Sequence, residues 1–157
     1  MATINREAHC LKRGNSLAMP RNVIFYDTET KQIEFEDGRI EQQFKLGQAC
    51  YYRKAHGRNL EKNEWLEFFD CTHFWSMLFS HCQRKQKLWV VSLNLSFDFT
   101  IIHGWHYLNQ AGYKLKFFHN TGTTTIISVK SKQGSIVFID FMNWFPESVE
   151  TIGRRMG

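Results

Sequence analysis

Two short apolar runs constrain this chain more than any other feature. Residues 22–27 read NVIFYD and continue into Thr28, Glu29 and Thr30; residues 88–94 read LWVVSLN and continue into LSFDFTII. Runs of this length, rich in β-branched and aromatic residues, predict buried strands. Each ends where acidic and amide side chains begin, and the second is followed at once by a helical pattern. A chain that alternates such strands with helices is expected to form an α/β domain.

The remaining segments fit that layout. Asp37-Gly38 predicts a turn, followed by an extended stretch to residue 53 with Phe44, Leu46 and Tyr52 spaced in twos. Residues 59–86 predict one long helix, with Asn63 as its cap and Trp65, Phe68, Phe69, Met77 and Leu78 on its apolar side. Residues 99–112 predict a second helix ending near Gly112, with Ile101, Trp105 and Leu108 on one face. Three further strands follow, YKLKFFHN, TTTIISVK and GSIVFID, the last two joined by a hairpin through SKQG. A Ser148-capped helix comes last. Residues 1–20 predict a flexible basic leader and residues 21–157 one domain.

Composition narrows the class. A chain with 43% apolar and 15% aromatic residues is not expected to be disordered. No apolar run is long enough for a membrane-spanning helix, and the first residues lack the apolar core of a secretory signal. The expectation is a chain that works inside a cell, without a membrane partner. Four cysteines without framework spacing predict free thiols in a reducing compartment. The formal charge of +5 is compatible with a polyanionic partner without demanding one.

The chemistry concentrates at the two strand ends. Side chains two apart on a strand face the same way, so Asp27 and Glu29 are expected to point to one spot. Asn94, Phe97 and Asp98 form N-x-x-F-D at the end of the other strand, from which Asp98 could reach that spot. Clustered carboxylates repel one another and favour a cation. All-oxygen acidic sites suit magnesium or manganese, and two such ions can act together on a phosphodiester.

DTET followed by NLSFD resembles the first two motifs of the DEDD 3′–5′ exonucleases, and more narrowly those of the proofreading domain of family B DNA polymerases, especially the protein-primed type of phages, viruses and linear plasmids. The resemblance continues through IVFIDFMNWFPESVETIG and covers the chain from about Pro20 onward. It implies a ribonuclease H-like fold, a mixed sheet flanked by helices. It implies that Asp27 and Glu29 hold two Mg2+ or Mn2+ ions, with Asp98 assisting, and that Thr30, Asn94 and Phe97 contact the 3′ end of single-stranded DNA. It further implies a polymerase domain C-terminal to this segment and, for a viral chain, a place in the host cytoplasm or nucleus.

The sequence departs from that family in one serious respect and in a smaller one, Phe141, where the family often has Ser or Thr after the Asp. The family's third motif, Y-x-x-x-D or H-x-x-x-x-x-D, is absent, because no Asp follows Asp140. The domain is therefore expected to be incomplete at its C-terminus and its exonuclease activity impaired. The alternative is a non-catalytic domain of the same fold that binds single-stranded nucleic acid, and an RNA-directed relative is compatible too. Zinc is not expected: Cys71 and Cys82 lie about 16 Å apart along a helix, too far to share an ion. His103 and His106 lack a third ligand. The run QRKQK at residues 83–87 reads as a basic helix end, and Arg154 and Arg155 as a solvated face.

Overall fold

The computed structural model describes residues 20–121, 124–143 and 149–156. The leader expected over residues 1–20 therefore lies almost wholly outside the described residues, as does Ser148. The chain forms a mixed α/β fold on one seven-stranded sheet. Its elements are β1 (Asn22–Glu34), β2 (Ile40–Arg53), β3 (Lys62–Phe68), α1 (Cys71–Ser80), β4 (Lys87–Ser92), α2 (Leu95–Ile101), α3 (Gly104–Gln110), β5 (Lys114–Thr121), β6 (Thr124–Lys130), β7 (Ser135–Asp140) and α4 (Val149–Met156), with a short 3-10 turn at Phe141–Asn143. The strand order is β3-β2-β1-β4-β7-β6-β5. Both predicted apolar runs are central strands, and β4 pairs in parallel with β1 on one side and β7 on the other.

Alternation sorts the central strands into two faces. Ile24 and Tyr26 of β1, Leu88 and Val90 of β4, and Ile136 and Phe138 of β7 are buried in the core with Phe74, Trp75 and Leu78 of α1 and Phe99 of α2. The Trp75 indole packs near Phe74, Phe79, Tyr107 and Phe138. Its Nε1 donates to the carbonyl of Ile102 at 2.8 Å, so the polar end of the buried ring is satisfied.

Two predicted helices differ from what forms. Residues 59–86 contain β3 and then α1, not one helix. Glu64, Leu66 and Phe68 have the period of a strand, and β2 offers an edge to pair with. Trp65 lies on the outer face of β3, 75% exposed, instead of in the core. Helix α1 is capped by Asp70, whose carboxylate accepts from the Thr72 amide at 2.6 Å; this is ordinary N-cap chemistry. The basic run at residues 83–87 lies beyond the end of α1, in a turn where Lys85 takes a φ of 73° and which leads into β4 at Lys87. The second predicted helix is broken at His103, which has a φ of 54°, into α2 and α3. It does end at Gly112, at a φ of 73°. The turn at Asp37-Gly38 and the hairpin through residues 131–134 form as expected, the latter closed by Ser131 N–H donating to the Gly134 carbonyl at 2.9 Å.

Candidate carboxylate site at the ends of the central strands

The parallel pairing of β1 with β4 ends at Phe25 and Val91. Beyond that point β1 continues to Glu34 as a ribbon with β2, so the acids sit where β1 leaves β4, not where β1 itself stops. Asp27 and Glu29 are exposed and alternate with buried Tyr26 and Thr28. The two carboxylates therefore share one side of β1, as period two requires. Partial burial, and then the neighbouring charge of Glu29, hold the Asp27 carboxyl above its ordinary range.

Asp98 arrives from the other strand. It lies in the first turn of α2, immediately after β4, and is 2% exposed. Its Oδ1 accepts from the Thr28 hydroxyl at 2.6 Å. Asp98 thus meets β1 on the helix-covered side, through the residue between the two acids. Burial, with repulsion from Asp27 and Asp140, pushes its carboxyl up to about 7, although Thr28 and Ser92 favour the charged form. The repulsion links the carboxylates into a row: Glu29 acts on Asp27, Asp27 on Asp98, and Asp140 on Asp98.

Asp140 has a structural task. Its two oxygens accept from the backbone amides of Asn94, Leu95 and Met142 at 3.1, 2.9 and 2.9 Å. It ties the end of β7 to the start of α2 and so positions Asp98. Asn94 occupies the left-handed region at a φ of 63°. Asn tolerates that conformation better than most residues, which accounts for Asn at the strand-to-helix joint. Phe97 is 38% exposed. Thr30 follows the point where β2 bulges at Lys45, and its hydroxyl donates to Gln42 Oε1 at 2.7 Å.

Tyr26, Thr28 and Ser92 were not read as site residues from the sequence. All three are buried on the helix-covered side of the sheet near Asp98. The signal was available: the period that sends Asp27 and Glu29 one way sends Tyr26 and Thr28 the other. Tyr26 Oη, Ser92 Oγ and Asp98 Oδ2 are buried without a well-formed hydrogen bond among the described residues. Burial, and after it the charge of Asp98, raises the Tyr26 phenol well above its usual value.

No family model, curated protein or solved structure matches this chain.

The row can be tested as a cation site on its own chemistry. Its donors are carboxylates and hydroxyls, which suit a hard divalent ion. The unpaired Asp98 Oδ2 and the raised Asp27 and Asp98 carboxyls are what such an ion would relieve. Among the described residues, however, no three Asp, Glu, His or Cys side chains gather closely enough to form a ready ligand set. The donor types fit the ion, while Asp98 is turned toward Thr28. Elsewhere, Cys71 sits at the start of α1 and Cys82 beyond its end, with their thiols directed to the carbonyls of Ile101 and Leu78. No helix among the described residues is long and apolar enough to cross a membrane.

Proposed function

We propose that this chain is an exonuclease-like domain of ribonuclease H-like fold, resembling the proofreading domains of family B DNA polymerases and acting on the 3′ end of single-stranded DNA. One observation supports the reading most strongly. Two acids share one side of β1, just past its last parallel pair, and one of them, Asp27, repels an acid on the helix that follows the neighbouring parallel strand. Functional groups in open α/β sheets gather at such strand ends. In this reading Asp27 and Glu29 hold Mg2+ or Mn2+, and Asp98 joins them once deprotonated and turned from Thr28. The ions would neutralise phosphate oxygens and make water a better nucleophile. Phe97 offers an exposed ring to a terminal base, a contact worth about 1–3 kcal/mol. Asn94 holds the α2 start in place, and Thr30 contributes at the rim of the site.

The 157 residues contain no counterpart of the family's third acidic motif, so turnover by them alone is expected to be weak. A second reading is a non-catalytic domain that binds single-stranded nucleic acid. It is favoured by the absence, among the described residues, of a gathered ligand set and by an Asp98 carboxyl half-protonated near neutral pH.

Calorimetry separates the two. Manganese should bind the parent chain and bind Asp27→Ala at least about tenfold more weakly, since removing a charged partner changes such an interaction by more than 1.4 kcal/mol. Equal binding by the variant would remove Asp27 from the site. For DNA, Phe97→Ala should weaken binding of a short oligonucleotide several-fold. Asn94→Gly, which keeps the left-handed backbone, tests the amide side chain without disturbing the joint. If both variants bind as the parent does, these residues serve the fold alone.

A further inference from the structure

The strand ends opposite the carboxylates carry a separate feature. There β4 and β7 begin and β6 ends. An open cleft of about 760 Å³ runs between the turn after α1 and the β6–β7 hairpin, lined by Arg84, Lys85, Lys87, Lys130 and Lys132 and by no acid. A second hollow of about 270 Å³ shares Gln86 with it and adds Arg21, Arg53 and Lys54, again without an acid. This edge lies about 17 Å from the carboxylates, the length of a six-residue strand.

The charge is not ion-paired, although Lys87 lies over the Trp89 ring at 5.2 Å and Arg53 Nη2 donates to the Leu60 carbonyl at 3.4 Å. None of these eight cations forms an ion pair among the described residues. Arg53 Nε is also buried without a hydrogen-bond partner. Like charges collected without ion-pair partners repel, and a bound polyanion relieves that repulsion.

The edge is also held in shape. Gly134 approaches Gln83 so closely that an added Cβ would stand 2.8 Å from its carbonyl oxygen. Asn22 Nδ2 donates to Gln86 Oε1 at 2.7 Å, joining β1 to the same turn. Lys85 adopts a left-handed backbone that costs a side-chain-bearing residue about 1–2 kcal/mol. Strain of this kind is retained where the surrounding structure holds it.

We propose that this edge binds the phosphodiester backbone of a nucleic-acid strand, independently of any chemistry at the carboxylates. Backbone binding needs spaced cations and polar donors, and those line both hollows. A protein partner would be expected to find a buried aromatic or aliphatic anchor, and neither hollow has one.

The test uses the full chain in excess EDTA, so that cation binding at the carboxylates contributes nothing. Fluorescence anisotropy follows a labelled 20-nucleotide oligo-dT between 50 and 200 mM salt, for the parent and for Arg84→Glu/Lys130→Glu/Lys132→Glu. The triple variant should bind about tenfold more weakly or worse at low salt. Its log–log salt slope should shrink by about 2, near 0.7 for each phosphate no longer neutralised. Arg39→Gln, which removes a cation of the β1–β2 turn outside both hollows, should bind like the parent. Parental affinity and slope in the triple variant would overturn the proposal. Polyglutamate or anionic lipid vesicles bound as tightly as the oligonucleotide would overturn the nucleic-acid assignment. If the triple variant's melting midpoint falls, the single variants Arg84→Gln, Lys130→Gln and Lys132→Gln replace it. Each should lower the slope by about 0.7, and unchanged slopes in all three would overturn the proposal.

Discussion

Asp98 is held by one hydroxyl, repelled by two carboxylates and almost closed off from water. With its carboxyl up at about 7, against about 3.9 for a free aspartate, the folded protein keeps a proton that the unfolded chain releases. The sign follows: between about pH 4 and 7 the folded state binds more protons, so stability falls as pH rises through that window and levels off above it. In metal-free urea titrations, the parent should be less stable at pH 8 than at pH 5, by on the order of a few kcal/mol. Asp98→Asn should flatten that dependence and be the more stable of the two at pH 8. A parent whose midpoint rises steadily across this range would show that Asp98 titrates normally. That Asp27 and Glu29 share a side was legible from their spacing. That Asp98 would meet Thr28 was not, because the contact joins residues seventy positions apart.

Elements were legible where local pattern and tertiary context agree. Both central strands, the β2 extension and the β6–β7 hairpin were such cases. Residues 59–86 were not, because Trp65, Phe68 and Phe69 satisfy a helical period as readily as a strand's. The edge of β2 decides between them. Gly47 of β2 pairs with Phe68 of β3, and the fully buried Phe68 ring covers it. A Cβ at Gly47 would meet that ring at 2.2 Å. Gly47→Ala should therefore cost about 1–3 kcal/mol in chemical denaturation, the usual range for overpacking. Pairing it with Phe68→Leu should cost less than the sum of the single changes, because the two substitutions share one contact. Strict additivity in that double-mutant cycle would contradict the packing described.

Across the whole molecule, one sheet separates two opposite charges. Acids collect where the parallel strands β4 and β7 finish, and cations where they begin. Linkage gives the acidic end a global readout. An ion that binds only the folded chain stabilises it by RT ln(1 + [L]/Kd), about 2.7 kcal/mol at a hundred times Kd. Manganese at that excess should raise the parent's melting midpoint by several degrees, and Asp27→Asn should lose most of the rise. The triple variant at the basic edge should keep it. An equal manganese effect in parent and Asp27→Asn would place the ion elsewhere.

The α/β class, the two strand ends and the acids on them could be read from residue order, since periods of two and a run's length are local properties of the chain. The neighbour of each strand, the side from which Asp98 approaches, and the meeting of Arg84 with Lys130 and Lys132 could not. Those depend on the pairing of β1 with β4 and β4 with β7, which brings distant segments into register. Pairing is chosen by burial summed over the whole sheet, and no local window of sequence contains that sum.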